Sequence, residues 1–313
     1  MVLLNLLFNI YALMFAEGAY LRCYRKSIDD YTVTPLSEPL PILNSSCFDA
    51  SRSTVIYTFG FGAKKDGPVT TIVIQSYIDY GKVNFILLDW EKEASTGMLG
   101  AAAGYVASGV PQAMKIGAQL GSAIITMSNN GLDIQNLQLI AHSLGAHLMG
   151  YAGKQVKKEG KIVGRITGLD PSGPLYSGAL SMKGLEANCA EYVDVIHTDP
   201  GTYGITDSIG NVDIWANCDM NLQPGCPPRN YELLNADDRC SHDRAPKYYV
   251  ETLQYPEAFP AIKASSCKDW SSGGSLNKSE IVYIGEITNS RGNFYLRTNS
   301  ASPYGEGIDG TKP

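Results

Sequence analysis

Two rhythms of apolar and polar positions alternate along this chain. Short unbroken apolar runs are separated by longer stretches with helical spacing. Thr54–Phe59 (TVIYTF) and Val83–Leu88 (VNFILL) read as buried strands, with Pro68–Tyr80 between them as a helix opened by Asp66-Gly67-Pro68. Pro111–Met127 reads as a second helix, whose Gly117 and Gly121, four apart, would let it lie close on a sheet. Leu137–Ala141 is a third strand and Leu144–Lys157 the helix after it. Ile162–Leu169 and Tyr192–His197 are further strands, and 199–240 is the last long loop region. Ala245–Gln254 reads as a helix, with Ile281–Ile287 and Asn293–Arg297 as closing strands, antiparallel at the sheet edge. Unbroken apolar strands alternating with helices belong to a mostly parallel sheet covered on both faces. The expected fold is α/β, with one domain over residues 19–313 and no linker.

Composition supports a packed domain. Of 313 residues, 44% are hydrophobic and 18% charged, enough apolar material for a core and too much for a disordered chain. The 25 basic residues against 31 acidic ones give a net charge of −6, with no basic run longer than two residues. Nucleic-acid binding, which needs clustered cations against phosphates, is therefore not expected.

The amino terminus points to a compartment. Val2–Ala16 is apolar apart from Asn5 and Asn9, and it ends in Ala16-Glu17-Gly18. Fifteen residues are short for a bilayer, which needs about 20, so 1–18 is expected to be a secretory leader cut after Gly18. No other stretch is long and apolar enough to span a membrane. Seven cysteines, none in a CxxC pair, argue for disulfides over zinc, with an odd thiol left over. Asn44-Ser45-Ser46 and Asn277-Lys278-Ser279 are glycosylation sequons in keeping with secretion.

Chemistry concentrates at Leu137–His147 (LQLIAHSLGAH), where a buried strand runs into Ser143 and a helix begins at once. Such a turn exposes a nucleophilic serine and aims a helix amino terminus at a developing oxyanion. It needs small residues two before and two after the serine, here Ala141 and Gly145. There are four histidines to supply a base. His142 adjoins the serine and should point to the opposite side. His147 should pack on the sheet, and His197 should be a satisfied core residue. His242, in the late loop Cys240-Ser241-His242-Asp243-Arg244, remains as the base. For the acid, Asp170 ends the fourth strand before a rigid Pro-Ser-Gly-Pro turn, ahead of the rivals Asp194, Asp199 and Asp207. The order Ser143, Asp170, His242 is that of α/β hydrolases. The Leu144 amide and one from Phe59-Gly60-Phe61-Gly62 would complete an oxyanion hole.

These segments, together with Leu88-Asp89-Trp90, ITGLDPSGP around Asp170, VDVIHTDPG, IGNVDIWAN, LQPGC, CSHDRA and GNFYLRT, resemble the animal pancreatic-type lipase family. That family includes lipoprotein lipase, insect phospholipases A1 and yolk proteins. The resemblance implies an α/β-hydrolase fold, Ser143, Asp170 and His242 as the triad, and the Phe61 and Leu144 amides as the oxyanion hole. It implies a Cys226–Cys240 bridge closing a lid, and phospholipid or acylglycerol substrates at lipid–water interfaces. No cofactor or metal is implied.

Three departures stand out: Ala141 where the family has Gly, Phe59 where it has His, and Cys267 without its near partner, leaving a distant cysteine such as Cys189 to pair with it. The lid segment, 227–239, is shorter than in triglyceride lipases and typical of phospholipase A1 members. Vertebrate relatives continue into a β-sandwich domain, so partners carried there are not expected. The implied function is hydrolysis of lipid carboxylic esters, leaning to phospholipase A1 with triacylglycerol lipase close behind. The alternative is a weakly active or inactive yolk-type storage protein.

Overall fold

A computed structural model describes residues 18–97, 100–179, 181–218, 222–273 and 277–313, and of 277–279 the backbone only. The expected leader up to Glu17 and the Asn277 side chain lie outside the described residues, whereas Asn44 is exposed. The strands, in chain order, are β1 (Tyr20–Tyr24), β2 (Tyr31–Pro35), β3 (Thr54–Thr58), β4 (Asn84–Asp89), β5 (Leu137–His142), β6 (Arg165–Leu169), β7 (Tyr192–His197), β8 (Val212–Ala216), β9 (Pro260–Lys263), β10 (Asn277–Tyr283) and β11 (Gly292–Leu296). They form one sheet in the order β10-β9-β11-β8-β7-β6-β5-β3-β4-β1-β2. The run from β11 to β4 is parallel throughout. At the two edges β1 and β2, then β9 and β10, are antiparallel. The main helices are α1 (Pro68–Tyr80), α2 (Val110–Ser128), α3 (Leu144–Lys158) and α4 (Arg244–Glu251).

Period-two alternation along β6 shows how both faces are covered. Thr167 turns to Gln138, which bonds the Tyr249 hydroxyl of α4. Ile166 faces the other way, against Gly153 of α3. β3, β4, β6 and β7 are therefore buried at every residue. This architecture, a mostly parallel sheet between two helical layers, is the α/β-hydrolase class expected from the sequence.

Four expectations change. The Gly117–Gly121 stripe packs on helix α3, not on the sheet: an added Cβ would lie 2.5 Å from Leu148 O at Gly117 and 2.7 Å from Ala152 O at Gly121. The supposed loop 199–240 contains β8, an inner strand whose apolar run is broken by Asp213. That carboxylate is buried because His197 Nε2–H and the Ile209 and Gly210 amides donate to it. β11 is not a simple antiparallel edge, since it runs parallel to β8 and antiparallel to β9. Finally, Cys267 pairs with Cys218 and not with Cys189, which is a buried free thiol. Cys23–Cys47 and Cys226–Cys240 are also bridged.

Candidate active site

Ser143 sits between β5 and α3 at φ 58° and ψ −130°. A non-glycine residue there is strained by about 1–3 kcal/mol, which surrounding contacts must hold. Its N–H donates to Leu169 O at 3.0 Å, and its carbonyl accepts from Ala146 N–H at 3.0 Å. The loop after β3 closes over the serine because Gly60 has no side chain: a Cβ there would lie 2.5 Å from Ser143 Cβ. A Cβ at Gly145 would in turn lie 2.6 Å from Phe59 O. Ala141 is fully buried, so a methyl fits where the family has Gly. The family's loop histidine is replaced by Phe59, yet the loop is pinned. Trp90 Nε1–H donates to Phe59 O at 3.0 Å, Gly62 N–H to Ala94 O at 2.7 Å and Ala63 N–H to Gly60 O at 3.3 Å.

At the carboxyl end of β6, Asp170 is fully buried and also at positive φ. Its Oδ2 accepts from His242 Nδ1–H at 2.5 Å, and its Oδ1 accepts from the Thr198 and Asp199 amides at 2.8 and 3.0 Å. With Nδ1 as donor, His242 Nε2 carries the lone pair a base requires. Burial lowers the basicity of His242, but the hydrogen bond and negative charge of Asp170 outweigh it and leave the imidazole more basic than usual.

His142 departs from the expectation that it points away. Its ring lies 4.3 Å from that of His242, and its Nε2–H donates to His242 O at 3.0 Å. β5 ends at this residue, where the backbone turns sharply into the elbow, so strand alternation no longer sets its direction. Burial and the neighbouring His242 hold His142 well below the usual histidine range, hence neutral beside His242. His147 stacks on Tyr176 at 3.5 Å and uses both nitrogens, donating to Ser172 O and accepting from Leu185 N–H. Burial lowers it to about 4. His197 stacks on Trp215 and bonds Asp213 in the core. The rival acids have other partners: Asp194 pairs with Arg165, Asp207 accepts from Gly178 N–H, and Asp199 pairs with Arg229.

Ser143, His142 and His242 open into a cavity of about 450 Å³, lined mostly by apolar groups including Phe59, Phe61, Tyr105 and Val106. Leu234, from the loop closed by Cys226–Cys240, lies over Gly62 and forms part of the cavity wall. This loop is built around Asp238, whose carboxylate accepts the Asn230, Tyr231 and Glu232 amides. Tyr203 ties it to the site: its hydroxyl accepts Leu234 N–H at 3.0 Å and its ring stacks on His242 at 5.2 Å. Sequence reasoning missed Tyr203, Arg229, Asp238 and Trp90. The VDVIHTDPG and Leu-Asp-Trp signatures and the lid segment 227–239 pointed to this neighbourhood without giving these residues a role.

The Lipase family model matches residues 27–304. The chain is 30% identical over 237 residues to Lipase member H-B of Xenopus laevis, covering 75% of this chain and 48% of that protein. It is 27% identical to pancreatic triacylglycerol lipase of Mus musculus, covering 84% and 60%. It is 30% identical to phospholipase A1 of Vespa crabro, covering 80% and 82%. The chain thus spans about half the length of the lipase H relatives it matches. No described helix is long and apolar enough to cross a membrane. A family match across nearly all described residues, on a hydrolase sheet with a strained serine at the strand–helix turn, means that this chain belongs to the pancreatic-type lipase family.

Proposed function

We propose that this chain is a secreted lipid carboxylic-ester hydrolase of the phospholipase A1 type, acting through Ser143, His242 and Asp170. The observation that carries this reading is the 2.5 Å Asp170–His242 bond at the wall of the cavity that also holds the strained Ser143. Ser143 Oγ attacks the ester carbonyl as its proton passes to His242 Nε2. Asp170 orients the ring and stabilises the imidazolium. The Phe61 and Leu144 amides receive the oxyanion, Leu144 offering an N–H of the first helical turn. The imidazolium of His242 gives that proton to the departing ester oxygen, which leaves as the neutral alcohol; water deprotonated by His242 then cleaves the acyl-enzyme and frees Ser143.

The thirteen-residue segment between Cys226 and Cys240 supports the phospholipase leaning. So short a cover buries little acyl surface and leaves room for a polar headgroup. The extended match to the wasp phospholipase A1 points the same way. Tyr231 (85% exposed), Leu233 (60%) and Val106 (53%) are apolar groups at the cavity mouth or on its cover, suited to a lipid surface. Three disulfides suit an oxidising, extracellular setting. Fatty-acid release from phosphatidylcholine vesicles and triolein emulsions, for the wild type and Ser143→Ala, tests the reading. We expect faster release from the sn-1 position of phosphatidylcholine than from triolein, and none from the variant. A preference for triolein overturns the phospholipase assignment, and an active variant overturns the site.

A further inference from the structure

We propose that Asp199 is a second carboxylate serving His242, and that Arg229 of segment 227–239 holds its charge in check while that segment is seated. The inference rests on the triad reading above.

Asp199 follows β7 in the His197-Thr198-Asp199 turn and is 3% exposed. Its backbone N–H is committed to Asp170 Oδ1, but its side chain is taken by the cover. Arg229 Nη2–H donates to Asp199 Oδ1 at 2.5 Å and Nη1–H to Oδ2 at 3.2 Å. Although it belongs to a surface loop, the Arg229 side chain is only 8% exposed, and Nη1 also donates to Asp238 O. A two-pronged guanidinium buried on a carboxylate is a directed contact.

Its place relative to the base gives it a consequence. Asp170, Asp199 and His242 each present an atom within 4.8 Å of the other two. With Arg229 seated, His242 faces an ion pair of nearly zero net charge. With Arg229 gone, it faces a bare buried carboxylate, which at such a distance favours the imidazolium. The other charged or titratable groups around His242 are Asp170 on Nδ1, Asp243 next in the chain, and the His142 and Tyr203 rings. Arg239 acts on His142 and Asp243, next to the anchoring Cys240. Asp238 faces Arg229. Of the groups around Asp199, it is Arg229 that sits inside the disulfide loop and three residues past its start. Displacing the cover onto lipid therefore does two things at once. It removes Leu234 from the cavity, and it bares Asp199 beside the base, stabilising the imidazolium that forms as Ser143 gives up its proton.

A purely structural latch would alter the cover without moving a titration. The test is the acid limb of the pH profile for inactivation by diethyl p-nitrophenyl phosphate, a small soluble agent that phosphorylates an activated serine. We expect Arg229→Gln to move the limb up by about 1 pH unit, and Asp199→Asn, which keeps its backbone N–H, to move it down by about as much. The double variant should return near the wild-type limb, and Arg229→Lys should keep it. If Asp199→Asn does not fold, Arg229→Gln against Arg229→Lys carries the test alone. Normal Ser143 labelling with coincident limbs in wild type and Arg229→Gln overturns the coupling. No labelling of wild-type Ser143 at any pH overturns the triad reading instead.

Discussion

Two buried carboxylates on neighbouring strands have opposite company. Asp194, within β7, receives Arg165 on both oxygens, Nε–H and Nη2–H each at 2.8 Å, and the Thr167 hydroxyl at 2.8 Å. Asp170, at the end of β6, receives an imidazole and two backbone amides. Both are almost without solvent contact. The difference lies in the cation. A guanidinium is charged at every working pH, so Asp194 makes a fixed strut beneath the sheet. An imidazole gains and loses its proton near neutrality, so on the proposed reading Asp170 supports a group whose charge changes during the reaction. Burial alone does not single out a carboxylate for the proposed chemistry; a titratable partner lining the cavity does.

The sharpest way to break this comparison is to neutralise each carboxylate. Asp170→Asn should lower kcat for ester cleavage about 10⁴-fold, because the imidazole loses its orientation and stabilised cation. Its urea midpoint should change far less. Asp194→Asn should do the reverse. It strands a buried Arg165 and should cost about 3–5 kcal/mol in urea unfolding, while kcat per folded molecule stays near wild type.

A third buried group, His147, sharpens the contrast because it has no countercharge. Protonating it would destroy the bond it accepts from Leu185 N–H. Its folded value of about 4 lies below the ordinary 6.5, so the unfolded chain binds the proton first. Its stabilising contribution is complete above about pH 6.5 and shrinks as pH falls toward 4, by about 3 kcal/mol. The stability difference between wild type and His147→Gln, followed by urea unfolding from pH 7 to pH 4, should narrow by that amount. The smallest effect belongs to Thr167→Val, which removes one of Asp194's donors and should cost about 1 kcal/mol.

Much of this was legible in the sequence, and particular residues show why. The inner strands β3, β4, β5 and β7 were readable because sheets covered on both faces need largely apolar runs, and Gln138 in β5 and Asp194 in β7 interrupt theirs only once. α1 matches its expected span, Pro68–Tyr80, because a proline opens it and Gly81 closes it in the left-handed conformation. β8 was hidden by Asp213, whose burial depends on His197 and two amides distant from any local pattern. β1 and β2 lie in a short, charged hairpin segment at an edge, where apolar periodicity is weak. Within the site, the serine turn and the acid loop carry local backbone demands that leave a signature. The placement of His142 against His242 joins residues 100 apart in the chain, and that of Arg229 on Asp199 residues 30 apart, and no local pattern encodes either.

The most direct measurement is to map the covalent adduct of a long-chain alkyl phosphonate by peptide mass spectrometry in wild type, Ser143→Ala and Asp170→Asn. The account predicts one adduct in the wild type, on the peptide containing Ser143, none in Ser143→Ala, and labelling slowed by orders of magnitude in Asp170→Asn. An adduct on another residue, or equal labelling in all three proteins, would contradict it.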